Sequence, residues 1–263
     1  MDWILVTNDD GVDAPGLPHL IEAMGSVAPV RTVVPDRERS WIGKAITRFD
    51  PIDVVEVERN GFAVHAATGY PADCAQLGIH TLFDSPPALV VSGINLGYNH
   101  GAAYLQSSGT VGAALEAAIA GVPAIAASTG TLDRPWREWR EWAETPDSAH
   151  MWRRLAGLTA TLAGRVMGEM APGALLSLNI PDDADENTER RFTTVAPVGY
   201  DALFAESGPG VFTHDFHGTL RNEGPLEGTD VAAAADGVVS ITPLRGTHDT
   251  VIDPPIRDLL FDG

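Results

Sequence analysis

The feature that most constrains the fold is an alternation of short apolar runs with amphipathic segments. Residues 3–7 are predicted to form a buried strand, and Pro15 begins a helical stretch that Gly25 ends. Residues 30–34 form the next apolar run. A strand, a helix and a second strand in this order are typical of an α/β fold with a doubly wound, mostly parallel sheet.

The remaining pattern divides the chain into a core, an arm and a tail. The further predicted elements are a hairpin over residues 54–57 and 62–65 around Asn60-Gly61, helices over 73–82, 111–120 and 146–170, and strands over 89–91, 123–128 and 175–180. Short strands with turns follow, including a hairpin over 231–235 and 238–242 around Asp236-Gly237. We therefore expect a core over 1–190, a hairpin-rich C-terminal arm over 191–245 that reaches a neighbouring subunit, and a segment, 246–263, that packs on the core or a partner.

The charge balance restricts the partners. The chain has 36 acidic and 17 basic residues, a net charge of −19, and Lys44 as its single lysine. Such a surface repels polyanions, so duplex nucleic acid is not an expected partner. Abundant acidic residues with almost no lysine also favour the hypothesis that the protein is adapted to a high-salt cytoplasm, where screening tolerates dense negative charge.

Nothing in the sequence predicts insertion into a membrane or export. The longest apolar stretch, 117–127, is broken by Gly121 and Pro123 and is shorter than the ~20 residues that a membrane-spanning helix needs. The first strand begins at residue 3 without a basic leader, so no secretory signal is expected. A single cysteine, Cys74, excludes an internal disulfide and indicates a small core residue in a cytoplasmic protein.

Two adjacent aspartates, Asp9 and Asp10, follow the first predicted strand and precede Gly11. In an open α/β sheet, ligands bind at the carboxyl ends of the strands, so this position favours a site for a hard divalent cation. Asn, Asp and Gly are also the usual residues of a polar turn, and the pair alone does not separate the two interpretations.

Four segments that end predicted strands or begin helices carry the chemistry. They are Asn8-Asp9-Asp10-Gly11, residues 35–40, residues 92–99 and Ser107-Ser108-Gly109-Thr110. Carboxylates, amides and hydroxyls from these segments suit Mg²⁺ or Mn²⁺, which prefer oxygen ligands. The hydroxyls of Ser107, Ser108 and Thr110 lie at a predicted helix N-terminus, which either binds phosphate or is simply capped by Ser108.

Other motifs do not indicate a function. The sequence has no Gly-x-x-x-x-Gly-Lys-Ser/Thr loop, no Gly-x-Ser-x-Gly and no His-Glu-x-x-His, which disfavours three large enzyme classes. His214-Asp215-Phe216-His217 is interpreted as a polar turn rather than a metal site. Trp136, Trp139 and Trp142 recur at every third position, and packing on the core is favoured over a base-stacking role.

In combination these segments resemble the SurE family of metal-dependent nucleotidases over nearly the whole chain. The residues that carry the resemblance are Ile4-Leu5-Val6-Thr7-Asn8-Asp9-Asp10-Gly11 with Ala14-Pro15-Gly16-Leu17, Pro35-Asp36-Arg37 with Arg39-Ser40, Gly69 with Pro71-Ala72-Asp73-Cys74, Ser92-Gly93-Ile94-Asn95 with Gly97 and Asn99, Ser108-Gly109-Thr110-Val111, and the late Gly228-Thr229-Asp230-Val231 and Val239-Ser240-Ile241-Thr242-Pro243-Leu244. The resemblance implies a Rossmann-like core with a smaller arm exchanged between subunits of a homodimer or homotetramer.

The resemblance also implies an activity and its residues. One divalent ion per subunit, Mg²⁺ or Mn²⁺, would be held by Asp9, Asp10, Ser40 and Asn95. The candidate phosphate- and substrate-binding residues are Asn8, Gly11, Asn99, Ser107, Ser108, Gly109 and Thr110. The implied reaction is hydrolysis of nucleoside 5′-monophosphates to nucleoside and phosphate, with some action on 3′-phosphates or short polyphosphate.

Alternatives remain open for the mechanism and for the function. We favour in-line attack by water that the metal activates and that Asp9 or Asp10 orients, over a covalent aspartyl-phosphate. A non-catalytic nucleotide sensor on the same fold is the competing function. Two departures from the family pattern affect the substrate contacts: Tyr70 stands where threonine is typical, and the stretch between Asn99 and Ser108 is one residue longer.

Overall fold

The computed structural model of the protein describes residues 2–215 and 220–245. Its strands are β1 (Ile4–Thr7), β2 (Val30–Pro35), β3 (Val54–Arg59), β4 (Phe62–Ala67), β5 (Leu89–Leu96), β6 (Ala124–Gly130), β7 (Leu175–Pro181), β8 (Arg190–Phe192), β9 (Val198–Tyr200), β10 (Phe204–Gly208), β11 (Val211–His214), β12 (Leu220–Asn222) and β13 (Val239–Leu244). Its helices are α1 (Leu17–Gly25), α2 (Pro71–His80), α3 (Gly101–Ser107), α4 (Gly109–Ile119), α5 (Trp136–Ala143), α6 (Ala149–Val166) and α7 (Asp230–Ala235).

One nine-stranded sheet organises the described residues, in the order β3-β4-β2-β1-β5-β6-β7-β13-β8. The strands from β4 to β7 pair in parallel, while β3 joins β4 and β13 joins β7 in antiparallel register. The prediction of a mostly parallel α/β sheet is confirmed.

Helices cover both faces of this sheet. Alternate residues of β1 point to opposite sides, so Ile4 and Val6 enter one apolar cluster while Leu5 enters the other. The first cluster packs against α1 and α6, and the second packs against α2 and α4. Cys74 is fully buried in the second cluster, which confirms its role as a core residue.

The connections of the sheet place a crevice at β1. The chain runs from β1 to β2 on one side, and β5 later pairs with β1 on the other side. Ligands of open α/β sheets bind where the strand order reverses, beyond the carboxyl ends of the strands. This crevice, beyond the ends of β1 and β5, is where Asp9 and Asp10 emerge.

Most predicted elements are present, with different lengths. The hairpin of β3 and β4 turns at Asn60 and Gly61, which have the positive φ values of 52° and 84° that its turn type needs. The prediction of a strand over 231–235 is wrong, because these residues form α7. Thr229 caps that helix by accepting a hydrogen bond from the amide of Ala232, and the alanines that follow have high helix propensity.

The residues of the predicted arm belong partly to small separate sheets and partly to the large sheet. Its strands β9 with β12, and β10 with β11, form two small antiparallel sheets outside the large sheet. By contrast, β13 lies in the large sheet between β7 and β8. The predicted C-terminal segment, 246–263, lies outside the described residues. Among the described helices, none is long and apolar enough to cross a membrane.

Candidate metal and phosphate site

A tight turn after β1 fixes the two aspartates. The side chain of Asn8 closes this turn, since its amide nitrogen donates to the carbonyl of Gly11 at 3.0 Å and its oxygen accepts from the amide of Gly11 at 3.1 Å. Gly11 has a φ of +90°, and a Cβ there would lie 2.6 Å from the carbonyl carbon of Arg37. A glycine is therefore required where the turn after β1 touches the loop after β2.

Asp9 joins three segments of the chain. Its carboxylate accepts a hydrogen bond from the hydroxyl of Thr110 at 2.5 Å, and its backbone carbonyl accepts from the amide of Arg39 at 2.7 Å. A Cβ on Gly109 would lie only 2.8 Å from the Cβ of Asp9. The start of α4 and the loop after β2 therefore both meet at the end of β1, as predicted for strand ends that share one edge of the sheet.

Asp10 faces the end of the neighbouring strand β5. Its carboxylate accepts a hydrogen bond from the amide of Leu96 at 3.1 Å. The preceding residue, Asn95, donates its side-chain nitrogen to the carbonyl of Gly97 at 2.7 Å. Because that nitrogen is engaged, the oxygen of the Asn95 amide is the atom left to act as a ligand beside the two carboxylates.

Burial makes this carboxylate pair electrostatically costly. Burial raises the pKa of Asp9 to about 6, although hydrogen bonds from the hydroxyl and the amide of Thr110 oppose the shift. Burial, followed by repulsion from Asp9, raises the pKa of Asp10 well above its usual range. A cation bound between the two carboxylates would relieve both effects, so the residues fit a metal.

Oxygen ligands for a metal at this site would have to come from several kinds of side chain. Among the described residues, no group of three or more His, Cys, Asp or Glu side chains could hold an ion. Two carboxylates completed by an amide and a hydroxyl remain suitable for Mg²⁺ or Mn²⁺, which keep several waters as ligands. Asn95 and Ser40 are the predicted completing residues.

Ser40 lies on the exposed side of the crevice. Its hydroxyl donates to the carboxylate of Glu38 at 2.7 Å, and the guanidinium of Arg140 donates to the same carboxylate at 2.8 Å. Burial alone would raise the pKa of Glu38, but these two contacts outweigh it and hold that pKa below its usual value. No hydrogen bond within 2–215 and 220–245 links Ser40 to either aspartate, and its role as a metal ligand stays a prediction.

The N-terminus of α4 is capped and also faces Asp9. Ser108 is its N-cap, and the Ser108 hydroxyl accepts from the amide of Val111 at 3.1 Å. Capping and phosphate binding are therefore not alternatives that exclude each other, because the cap leaves the amides of Gly109 and Thr110 at the positive end of the helix. Thr110 already directs its hydroxyl and amide at Asp9.

Two other predicted phosphate-binding residues have hydrogen-bond partners other than the aspartates. The side-chain nitrogen of Asn99 donates to the hydroxyl of Ser128 at 2.8 Å, which places it at the end of β6. The Ser107 hydroxyl contacts the hydroxyl of Tyr200 and the carbonyl of Ala103, which lies at 3.1 Å. Neither side chain contacts Asp9 or Asp10 among the described residues, so both assignments stay predictions.

The structure also places Tyr70, which differs from the family pattern, and the histidine and tryptophan motifs to which no function was assigned. Tyr70 precedes α2 and lies under the guanidinium of Arg39, 5.5 Å from its ring centre. His214 lies on β11 with its ring 4.8 Å from that of Trp41, while Phe216 and His217 lie outside the described residues. Trp139 is buried, as predicted for the tryptophan segment.

Sequence reasoning missed the pair of Glu38 and Arg140. Glu38 lies in a segment that the sequence singled out, but its carboxylate was not assigned a role. Arg140 lies on α5, a hundred residues further along the chain, and no local pattern connects the two. Only the tertiary fold brings the Arg140 guanidinium to the loop that carries Ser40.

Comparisons with known proteins show the family to which the chain belongs. Residues 4–201 match the family described as Survival protein SurE. The chain belongs to the SurE family. It is 39% identical over 246 residues to the 5′-nucleotidase SurE of Geotalea uraniireducens, with 92% of each chain covered. It is 34% identical over 266 residues to the 5′-nucleotidase SurE of Methanothrix thermoacetophila, with 99% of each chain covered.

The fold agrees with a solved member of the SurE family. The crystal structure of the SurE protein from Aquifex aeolicus superposes with a TM-score of 0.75 at 29% sequence identity. The match covers 98% of this chain and 99% of that one. The resemblance found in the sequence is thus confirmed at the level of family and fold.

Proposed function

We propose that the protein is a metal-dependent 5′-nucleotidase that hydrolyses nucleoside 5′-monophosphates to nucleoside and phosphate. The observation that carries the proposal is the adjacent pair of Asp9 and Asp10 at the reversal of strand order. Asp9 is buried against the start of α4, and Asp10, which is partly exposed, faces the end of β5. This arrangement combines a cation site with a helix N-terminus that favours an anion. The names of relatives that are 34% and 39% identical support the same reaction.

One divalent cation, Mg²⁺ or Mn²⁺, is proposed for each chain. Asp9, Asp10 and Asn95 would hold it from the inner side, and Ser40 would complete the set from the loop after β2. Such an ion neutralises charge on the phosphoryl oxygens and lowers the pKa of a water ligand. The raised pKa values of both aspartates support this proposal, since two adjacent carboxylates without a counter-ion repel each other.

The protein's own groups bind and orient the substrate. The amide of Gly109 at the start of α4 favours the phosphate, with further contacts proposed from Asn8, Gly11, Asn99, Ser107, Ser108 and Thr110. Asp9 is held by Thr110, and Asp10 is held by the amide of Leu96, so neither carboxylate rotates freely. Fixed carboxylates suit the orientation of a water for in-line attack better than the formation of a covalent aspartyl-phosphate.

The arm is proposed to pack against a second copy of the chain in a homodimer or homotetramer. Phe204 on β10 and Phe212 on β11 are 62% and 63% exposed, and Phe192 on β8 is 77% exposed. A two-stranded hairpin is marginally stable by itself, and exposed aromatic side chains on it favour burial elsewhere. Sedimentation of the wild type against Phe204→Ser/Phe212→Ser tests this proposal, which predicts a smaller assembly for the variant.

Salt adaptation is proposed as a separate property of the acidic surface. The net charge of −19 and the single lysine support it. Removal of salt would increase repulsion between the carboxylates and lower the melting temperature. A melting temperature that stays constant from molar KCl to low salt would refute the proposal.

A substrate panel tests the proposed reaction. Phosphate release would be measured with nucleoside 5′- and 3′-monophosphates, short polyphosphate and ribose 5-phosphate, each with Mg²⁺, Mn²⁺ or a chelator. The proposal predicts release from 5′-monophosphates that needs a divalent metal. Nucleotide binding without release from any ester would instead favour the sensor, and release that is unaffected by the chelator would refute the metal site.

A further inference from the structure

The three tryptophans of α5 have different environments, although they share one sequence pattern. Trp139 is buried and donates its indole N–H to Asp182 at 2.7 Å. Trp142 is half-buried and packs against the apolar core. Trp136 is 47% exposed, and its ring centre lies 5.4 Å from that of Trp139. Packing therefore accounts for two of the three indoles and leaves about half of Trp136 exposed.

Trp136 lies against the same strand end that faces Asp10. A Cβ built on Gly97 would be 3.1 Å from the Cη2 atom of Trp136 and 3.8 Å from the side-chain nitrogen of Asn95. Gly97 also has a φ of +128°, a conformation that disfavours any side chain. The ring of Trp136 thus occupies the space above Gly97, a position that the amide of Asn95 also borders.

The face of α5 that carries Trp136 points toward the crevice. Arg140 follows Trp136 by one helical turn, so the two side chains share a face of the helix. Arg140 donates to Glu38, which in turn accepts from Ser40. Both residues of this face therefore border the candidate metal site, one as an aromatic ring and one as a cation.

We propose that Trp136 is the platform on which the nucleobase of the substrate stacks, and that it determines the preference for nucleotides over other phosphate esters. The inference rests on the proposed nucleotidase function and adds a residue to its substrate site. The amide of Leu96 lies 3.1 Å from Asp10. Gly97, which contacts the indole, is the next residue after Leu96, and consecutive Cα atoms are about 3.8 Å apart. The indole therefore lies on the order of 10 Å from the Asp10 carboxylate, a separation that a ribose can span.

Stacking on an exposed indole suits this role chemically. Every nucleobase has an aromatic face, so a tryptophan holds bases of different identity with modest selectivity among them. The ring of Trp136 is held in place by Trp139 and by the backbone at Gly97, so little conformational freedom is lost when a base binds. The acidic surroundings do not oppose stacking, because the base is uncharged while the phosphate lies at α4.

A second exposed indole near the site, Trp41, is the rival platform. It follows Ser40 and is 43% exposed. Its ring already contacts three other aromatic rings, with centre-to-centre distances of 5.3 Å to Tyr200, 4.8 Å to His214 and 6.1 Å to Tyr104. These contacts join it to the arm, so we assign the base to Trp136.

The test compares an ester that has a base with one that lacks it. kcat/KM would be measured for 5′-AMP and ribose 5-phosphate, and inhibition by adenosine would be measured as a binding readout. Trp136→Ala is expected to lower the ratio of the two kcat/KM values about tenfold and to weaken adenosine inhibition by a similar factor. Trp136→Phe, which keeps an aromatic face, should recover most of the ratio.

Trp142→Ala is the matched control, since it removes the same residue type from the same helix. Any destabilisation of α5 should change kcat/KM for both substrates by the same factor. The control should therefore leave the ratio of the two values within about twofold of the wild type. An unchanged ratio in Trp136→Ala, an equal fall in Trp142→Ala, or a fall in Trp41→Ala instead would each overturn the inference. A wild type that hydrolyses neither ester would be a failure of the proposed function, which is a distinguishable result.

Discussion

The floor and the rim of the crevice are built in opposite ways. The floor is formed by Asp9 and Thr110, which are buried, and by Asp10, which is partly exposed. Its carboxylates accept hydrogen bonds from the hydroxyl of Thr110 and the amide of Leu96. The rim, formed by Glu38, Trp136 and Arg140, is largely exposed, and its ion pair joins the loop after β2 to the distant helix α5. Removal of one partner from a buried contact costs more free energy than removal of one from an exposed contact. We therefore assign the chemistry to the floor and the choice of substrate to the rim.

The largest effect is expected at the floor, from Asp9→Asn. This change keeps the shape of the side chain and an acceptor for Thr110 but removes a charge from the proposed metal site. Turnover of 5′-AMP should fall by on the order of 10³ or more. Steady-state phosphate release checks this result, with circular dichroism as the control for folding. Retention of near-normal turnover would break the distinction between floor and rim.

The same substitution should stabilise the metal-free protein. Burial raises the pKa of Asp9 from 3.8 to about 6, so its contribution to stability is fully present below pH 3.8 and is lost as the pH rises through about 6. Above that pH, and in the presence of a chelator, Asp9→Asn should raise the free energy of unfolding by on the order of 3 kcal/mol. The melting temperature should then rise by roughly 5–10 °C. Melting curves of both proteins from pH 4 to 8 test this, and a Tm difference that does not grow with pH would contradict it.

Thr110→Val tests how far the floor depends on one hydrogen bond. The change removes the hydroxyl that donates to Asp9 but keeps the branched shape and the buried position. A bond to a charged group is strong, so kcat/KM for 5′-AMP should fall about tenfold. Thr110→Ser, which keeps the hydroxyl, should remain within about twofold of the wild type. Equal activity of the valine and serine variants would show that the hydroxyl of Thr110 does not contribute to the activity.

The smallest effect is expected at the rim, from Arg140→Gln. Arg140 and Glu38 are about two-fifths exposed, with side-chain values of 40% and 42%, and such ion pairs contribute little. KM for 5′-AMP should rise about threefold with little change in kcat, because charge near Asp10 changes while the floor stays intact. A loss of kcat as large as that of Asp9→Asn would show that the rim takes part in the chemistry.

The sequence predicted the floor better than the rim for a physical reason. Asp9 and Asp10 follow a short buried strand, and strand ends in a parallel sheet meet at one edge whatever the detailed packing. Their convergence with the start of α4 and with Leu96 could therefore be expected. Glu38 and Arg140 meet only because α5 folds back over the crevice, and no local pattern contains that information.

Tertiary context also explains the local errors. Residues 231–235 were predicted as a strand because Asp236-Gly237 indicated a hairpin, but Thr229 caps a short alanine-rich helix there. The tryptophan segment was predicted correctly as a packed amphipathic element at Trp139, while the exposure of Trp136 could not be derived from spacing alone. Spacing gives the face of a helix but not what the rest of the chain brings to that face.

Binding of Mn²⁺ is the most direct test of the central claim that Asp9 and Asp10 form a metal centre. Free Mn²⁺ would be followed by electron paramagnetic resonance as it is titrated into the wild type, Asp9→Asn and Asp10→Asn. We expect one tightly bound ion per wild-type chain and none in either variant. Equal binding by all three proteins, or no tight binding by the wild type, would contradict it.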